Sequence, residues 1–316
     1  MNPISVLLIC LGVFAVGYLY VFIAGLRRDA REGQPLRPKP LMAVVSFIAN
    51  FFDTLGVGSY ATTTSMVRFF KLIPDEKIPG SLNVGYTLAT MIQAYVTIHG
   101  VSGLGVTVPP VEVDPLTLIL LIVAAILGAW LGAGVVSSWP RRKIQLGMGF
   151  CLAAAAAIML LRLTIFHSLE VGTTGLTGVK LVIGIVGLFG LGALMTLGIG
   201  LYAPCLILVT LLGMNDRSGY PIMMGACAFL MPVAVARFIR ARAYYPPAMI
   251  AMAIPGMLAV PLAFKWFQSL PLYWVKVVVI VVVAYASISM LLAAYRERGT
   301  EAATRTASFD GQPVPQ

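Results

Sequence analysis

The chain has 316 residues, of which 59% are hydrophobic and only 11% are charged, and its formal net charge is +10. Soluble domains carry about 25% charged residues, so a chain this poor in charge cannot cover a surface in water and predicts an all-α integral membrane protein. The basic residues lie in short clusters between apolar runs, without interleaved aromatic residues, which argues against a nucleic-acid-binding protein.

Nine apolar stretches are candidates for membrane crossings, because about 20 residues span the hydrocarbon core. They cover residues 3–25, 41–67, 80–98, 116–137, 144–161, 181–212, 219–236, 246–264 and 272–294. No basic residue precedes the first stretch, and Arg27, Arg28 and Arg31 follow it, which is the reverse of a cleavable signal peptide. We therefore expect a retained N-terminal span with its N-terminus outside.

The distribution of Lys and Arg among the loops favours fewer than nine crossings. If every stretch crosses and the chain starts outside, 13 of these residues lie inside and 9 outside. If 41–67 and 181–212 instead enter the membrane and return to the same side, 17 lie inside and 5 outside. Positive residues favour the cytoplasmic side, so we prefer seven full crossings plus two re-entrant hairpins, with the C-terminus in the cytoplasm.

Both candidate hairpins contain a pair of glycines near their centre. Residues 54–58 read TLGVG, and residues 196–200 read TLGIG. Two glycines separated by one residue lower helix stability and allow a positive φ angle, so a helix should break at each pair. A broken backbone at membrane depth is stable only where protein or a water-filled cavity covers it.

The two breaks are copies of one another. Residues 54–61 read TLGVGSYA, residues 196–203 read TLGIGLYA, and six of the eight positions match at an offset of 142. The same offset aligns Pro79 with Pro221 without a gap. A match that extends from the break to the later proline indicates an internal duplication.

Each repeat is expected to contain one re-entrant hairpin and three crossings. Since three is odd, the second repeat should start on the opposite side, which makes the repeats inverted, as in many secondary transporters. The predicted units are an N-terminal span at 1–26, a basic cytoplasmic linker at 27–40, the first repeat at 41–161, an external loop at 162–180, the second repeat at 181–295 and a disordered cytoplasmic tail at 296–316.

At these residues the chain resembles the TauE/SafE family of sulfite-exporter-type permeases, in the toluenesulfonate uptake permease superfamily. The resemblance lies in the Gly-x-Gly break of both halves, in residues 202–204 (YAP) and in residues 78–83 (IPGSLN). It implies a permease of the bacterial inner membrane for sulfite, organosulfonates or related organic acids. One departure is Thr62, which stands where the second half has Pro204, so the first site should differ in shape and the substrate is not carried over.

The candidate substrate site lies where the two breaks are expected to meet. A half-helix that starts after a break has unpaired N–H groups and a partial positive charge, which suit an anion without any basic side chain. Nearby hydroxyls would add donors, although packing or bonding to the preceding turn explains each of them equally well. The candidate substrate-binding residues are Thr54, Gly56, Gly58, Ser59, Thr62, Thr63, Asn83, Thr196, Gly198, Gly200, Tyr202, Pro204 and Cys205.

Asp53 precedes the first break, and its counterpart in the second repeat is Met195. A carboxylate at membrane depth is costly and usually functional, and burial favours its neutral form. Asp53 is therefore a candidate carrier of a coupling proton. Two alternatives stay open: Asp53 caps a half-helix or pairs with a basic residue such as Arg68, or a shallow hairpin leaves it near solvent. An ionised Asp53 would oppose an anion, so the proton carrier matches an anion site better.

The chain contains no HExxH, GxSxG or P-loop motif and no paired carboxylates within a span, so we expect no enzymatic activity. Its cysteines lack metal-ligand spacing, and we expect neither a metal nor a cofactor. The expected function is secondary transport of a small anion by alternating access at the two breaks. The expected partners are that anion, a coupling proton and the surrounding membrane lipid. A cation or metal-ion carrier and a passive anion channel, both using the same breaks, are the alternatives. No oligomeric state is predicted.

Overall fold

The computed structural model describes residues 2–56, 58–103, 106–132, 172–195, 200–215 and 217–268, with separate positions within 146–161 and 274–295. The helices in these residues are α1 (Pro3–Arg31), α2 (Pro40–Thr54), α3 (Ser59–Phe69), α4 (Ile78–His99), α5 (Pro115–Leu127), α6 (Gly178–Met195), α7 (Tyr202–Leu211), α8 (Gly219–Arg240) and α9 (Pro246–Gln268). A 3₁₀ turn at Asp75–Lys77 precedes α4, and α5 continues as a π-helix over Gly128–Gly132. The predicted crossings at 144–161 and 272–294 lie mostly outside the described residues, as does the tail at 296–316.

Four of the described helices are long and apolar enough to cross a membrane: Pro3–Arg31, Gly178–Met195, Gly219–Arg240 and Pro246–Trp266. Their outer faces expose apolar side chains such as Val13 and Val16, which are 65% and 68% exposed on α1. Water would not favour such a surface, whereas lipid does. The described part of the chain therefore confirms the prediction of an α-helical membrane protein.

A short antiparallel hairpin, which the sequence did not predict, follows α4. Strand β1 (Val101–Gly103) pairs with β2 (Val106–Val108), and Val101 lies opposite Val108. The Val111 N–H then donates to the Thr97 carbonyl at 2.9 Å. The hairpin thus closes over the end of α4 before the chain enters α5.

The first predicted break is present between α2 and α3. Helix α2 ends at Thr54 and α3 begins at Ser59. Gly56 and Gly58 have φ angles of +95° and +79°, in the left-handed region that favours glycine. The glycine pair therefore ends one helix and starts the next within a single apolar segment.

The second predicted break falls between α6 and α7. Helix α6 ends at Met195 and α7 begins at Tyr202. Residues 196–199, which include the candidate residues Thr196 and Gly198, lie outside the described residues. Gly200 is therefore the member of the second glycine pair whose position is described.

One end of the molecule gathers the loops that join α1 to α2, α3 to α4 and α8 to α9. Arg242 forms an ion pair with Glu32 at 2.7 Å. Lys39, before α2, and Lys71, after α3, line one cleft together with Tyr245. The chain thus enters α2 and leaves α3 at the same end. We call this the basic end; it comprises residues 27–39, 68–77 and 237–245.

Tyr244 holds α1 to the basic end. Its hydroxyl donates to Asp29 Oδ2 at 2.5 Å and accepts from the Arg28 guanidinium at 3.0 Å. Burial and the hydrogen bond to Asp29 raise the pKa of Tyr244 to about 12, so the hydroxyl stays protonated at neutral pH and remains a donor. The N-terminal helix is therefore attached to the loop between α8 and α9.

The loops around the starts of α5, α6 and α8 lie at the opposite end, about 33 Å away along α4. The Ser218 hydroxyl donates to the Glu112 carbonyl at 2.7 Å. The Thr173 N–H, before α6, donates to the Gly213 carbonyl, after α7, at 3.1 Å. The segment before α6 and the segment after α7 therefore contact each other at this end.

Helices α4 and α8 lie at the centre and pack against each other. We call α2 and α3 the first helix pair, and α6 and α7 the second. The first pair packs through α2 against α9, and the second packs through α6 against α5. Each pair thus packs against a helix from the other half of the chain.

Glycines allow α5 and α6 to approach closely. A Cβ at Gly192 would collide with the Ala125 carbonyl, and a Cβ at Gly128 would collide with the Phe189 carbonyl. Small residues serve the same purpose where helices associate within membranes, since lipid provides no hydrophobic driving force for their contact.

We predict that Gly192→Ala lowers the melting temperature in detergent, because its methyl group meets backbone of α5 and overpacking costs about 1–3 kcal/mol. Gly190→Ala is the matched control on the same helix, since nothing lies within 4 Å of a Cβ at Gly190. Thermal unfolding of both purified variants measures the difference. Equal melting temperatures would contradict the described α5–α6 contact.

Candidate functional site

The structure brings the two breaks into contact. A Cβ on Gly58 would lie 3.8 Å from Tyr202 Cβ, and a Cβ on Gly200 would lie 3.7 Å from Tyr60 Cβ. Gly58 corresponds to Gly200, and Tyr60 to Tyr202, at the 142-residue offset. The contact is therefore reciprocal: the glycine of each break packs against the tyrosine of the other.

Three buried side chains connect the breaks by hydrogen bonds. The Tyr202 hydroxyl donates to Gln93 Oε1 at 2.6 Å, and Gln93 Nε2 donates to Asp53 Oδ2 at 3.2 Å. The same nitrogen donates to the Thr54 hydroxyl at 2.9 Å. Gln93 is 0% exposed and Asp53 is 3% exposed. Helix α4 thus supplies the residue through which the carboxylate of the first break reaches the tyrosine of the second.

The Asp53 carboxylate lies at the N-terminus of α3. The Ser59 N–H donates to Asp53 Oδ1 at 2.5 Å. Ser59 is the first residue of α3, so this N–H has no partner within the helix, and a negative charge there is favourable. The contact is the capping geometry that was one of the alternatives for Asp53. Arg68 lies about 14 Å further along α3, where it lines the cleft at the basic end.

Tyr220 covers the backbone of the first break. Its hydroxyl, from α8, donates to the Leu55 carbonyl at 3.2 Å. A Cβ on Gly56 would lie 3.3 Å from the same hydroxyl. A helix from the second half of the chain therefore pairs with a carbonyl that the broken helix leaves exposed.

Gln93 and Tyr220 were missed by the sequence-based site prediction. For Gln93 a signal was present, because Tyr86, Thr90, Gln93 and Thr97 follow one another at spacings of three and four residues. Such spacing places polar side chains on one face of a helix. A polar face inside an apolar stretch indicates an internal, protein-facing surface and not contact with lipid.

Two predicted hydroxyls have different partners. The Thr62 hydroxyl donates to the Ser59 carbonyl at 2.9 Å, which is bonding to the preceding turn. The Thr63 hydroxyl lies 2.8 Å from the Tyr86 hydroxyl, so it connects α3 to α4. Thr62 therefore has a local role in this conformation, whereas Thr63 extends the polar contacts between the hairpin and α4.

The remaining predicted residues lie at varying distances from the breaks. Asn83 precedes Gln93 by ten residues on α4, about 15 Å along the helix, and is not brought to the breaks. Its Nδ2 donates to the Pro79 carbonyl at 2.9 Å. Pro204 and Cys205 lie in the first turn of α7, where a proline does not need an N–H partner.

The second break lacks a carboxylate at the equivalent position. Met195, the counterpart of Asp53, is 2% exposed, and its Sδ lies 3.6 Å from Cys227 Sγ. The first break therefore combines an acidic group with polar partners, whereas the second is lined by sulfur atoms and Tyr202. The two halves of the site therefore differ in electrostatics.

Comparison of the chain with protein-family models, with curated proteins and with solved structures finds no match. Within the described ranges, no group of three or more His, Cys, Asp or Glu residues is arranged to hold a metal ion. A functional proposal for this chain therefore rests on the geometry of the breaks.

We predict that Tyr202→Phe lowers the free energy of unfolding by about 1–3 kcal/mol, because it leaves Gln93 Oε1 buried without its donor. Tyr60→Phe is the matched control at the equivalent position of the other break, since the buried Tyr60 hydroxyl has no hydrogen-bond partner in the described part of the chain. Unfolding by SDS titration compares the two. Equal losses of stability would argue against the Tyr202–Gln93 bond.

Proposed function

We propose that this chain is a permease of the bacterial inner membrane that transports small anions, such as sulfite, organosulfonates or related organic acids. The observation that carries the proposal is the reciprocal contact of Gly58 with Tyr202 and of Gly200 with Tyr60. Secondary transporters bind substrate where discontinuous helices meet near the middle of the membrane. The choice of sulfur-containing anions within this proposal rests on the resemblance to the TauE/SafE family alone.

The proposal includes two inverted repeats, each with a re-entrant hairpin. It is supported by where each helix pair begins and ends. The segments that flank α2 and α3 meet at the basic end, whereas those that flank α6 and α7 meet at the opposite end. The contact between the sequence-equivalent helices α4 and α8 is also what a pseudo-twofold axis between them would produce. Because the positive-inside rule favours basic loops in the cytoplasm, we assign the basic end to that side.

In the proposed cycle, the present conformation is the closed one. Asp53, Ser59 and Gln93 are each at most 3% exposed, so protein covers the site from both ends. Movement of one repeat against the other would open the site first to one side and then to the other. The packing of each hairpin against a helix of the other half provides the surface along which this movement would occur.

Asp53 would couple the anion to a proton. Its carboxylate now accepts the Ser59 N–H, so it occupies the place at the N-terminus of α3 where a substrate anion would bind. A proton on Asp53 removes the negative charge and weakens that bond, which frees the N–H for the anion. Loss of the proton on the other side restores the bond to Ser59 and expels the anion. One proton and one anion would cross together.

A cation carrier is the second candidate, and the position of Asp53 favours it. Both carboxylate oxygens accept hydrogen bonds from uncharged groups, Ser59 and Gln93. A cation could bind the carboxylate in place of a proton. Asn50, one helical turn before Asp53, has a buried Oδ1 without a partner among the described residues and would be a further ligand.

We predict saturable uptake of labelled sulfite or of a small sulfonate into proteoliposomes, accelerated by an inward proton gradient. Asp53→Asn should abolish the response to the gradient, because the amide cannot carry the proton. Tyr60→Phe is the control and should keep it. The measurement is the initial rate of uptake against substrate concentration, with and without the gradient.

Three outcomes would contradict parts of this proposal. An Asp53→Asn variant that still responds to the gradient would remove Asp53 as the proton carrier. Flux that rises linearly with concentration would indicate a channel. Saturable flux of a cation, with none of any sulfur-containing anion, would replace the anion permease by the cation carrier.

A further inference from the structure

A cleft of about 540 Å³ opens at the basic end, between the start of α2 and the end of α3, which are the two arms of the first helix pair. Lys39 lines it from the start of α2, and Arg68 and Lys71 line it from the end of α3. Leu72 and Ile73, which are buried, also contribute to its wall. The cleft therefore combines three cationic groups from both arms with an apolar wall, which suits an anionic group attached to an apolar one.

Lys71 has an unusual backbone conformation for its position. It lies just after α3 with a φ angle of +49°, and the Leu72 N–H turns back to donate to the Val67 carbonyl at 2.9 Å. Glycine is the usual residue at such a helix end, because other residues adopt a positive φ only at a cost. A lysine here adds a cation to the cleft that glycine would not provide.

Exposed apolar side chains extend from the cleft along the membrane-facing side of α2. Their spacing of three and four residues places them on one face of the helix. The residues are Leu41, Val44, Ile48 and Phe52, each between 39% and 53% exposed. At the end of α3, Phe69 and Phe70 are 80% and 47% exposed and pack edge to face. An acyl chain whose headgroup lies at Lys39 would meet this apolar face of α2 from Leu41 onward.

We propose that the cleft binds the headgroup phosphate of an anionic phospholipid, with an acyl chain lying along α2. A phosphate in contact with Lys39 and Lys71 would bridge the two arms and hold the first hairpin at the cytoplasmic surface. A free anion would leave the adjoining apolar face of α2 without a partner. This inference does not depend on transport, and its test measures only lipid binding.

The test is native mass spectrometry of the full chain in detergent, titrated with phosphatidylglycerol or phosphatidylcholine. We expect phosphatidylglycerol to bind preferentially. Each Lys or Arg near an anionic lipid contributes about fivefold in affinity, so Lys39→Gln with Arg68→Gln and Lys71→Gln should weaken binding on the order of a hundredfold. If that triple variant does not fold, Lys39→Gln alone should weaken it about fivefold.

The matched control carries Arg31→Gln, Arg237→Gln and Arg240→Gln, which remove the same charge from the same end but outside the cleft. It should retain the preference for phosphatidylglycerol. Equal weakening in the control, or equal binding of the two lipids by the unmodified chain, would overturn the site. If glycerol phosphate displaces phosphatidylglycerol at equal concentration, the ligand of the cleft is a soluble anion and the lipid proposal is wrong.

Discussion

A helix that breaks inside a membrane leaves N–H and C=O groups that lipid cannot satisfy, and the arrangement of this protein follows from that constraint. The Asp53 carboxylate accepts the free N–H of Ser59, and the Tyr220 hydroxyl donates to the free carbonyl of Leu55. These partners come from both halves of the chain. The first break is therefore covered in part by α8, a helix from the second half of the chain that also packs against α4.

Because of the same constraint, the centre of the protein contains polar side chains that are buried and hydrogen-bonded to one another. Gln93 has a donor and an acceptor in one side chain, so it can accept from Tyr202 while it donates to Asp53. A change in the charge of Asp53 would alter the bond to Gln93 and, through it, the bond to the second break. In the proposed transport cycle, a proton or a cation at the first break would be linked through Gln93 to movement at the second.

The features that local sequence determines were predictable. The break at Gly56 and Gly58 was predictable because glycine allows a positive φ angle independently of the surrounding packing. The Lys and Arg clusters can be counted along the sequence without knowledge of the fold. Contacts between distant residues were not predictable in the same way. Asp53 had several possible partners, and only the tertiary structure selects Ser59 and Gln93. Asn83, chosen as a polar group that could line the same cavity, lies about 15 Å along α4 from Gln93.

In the proposed topology, the two hairpins open to opposite sides of the membrane. Single cysteines at Gln34→Cys, Lys71→Cys, Lys180→Cys and Arg217→Cys, in a chain without its four natural cysteines, would be labelled with a membrane-impermeant thiol reagent from each side. The proposed topology predicts that positions 34 and 71 react only from the cytoplasm and that positions 180 and 217 react only from outside. Reaction of positions 34 and 71 from opposite sides would show one continuous crossing and contradict it.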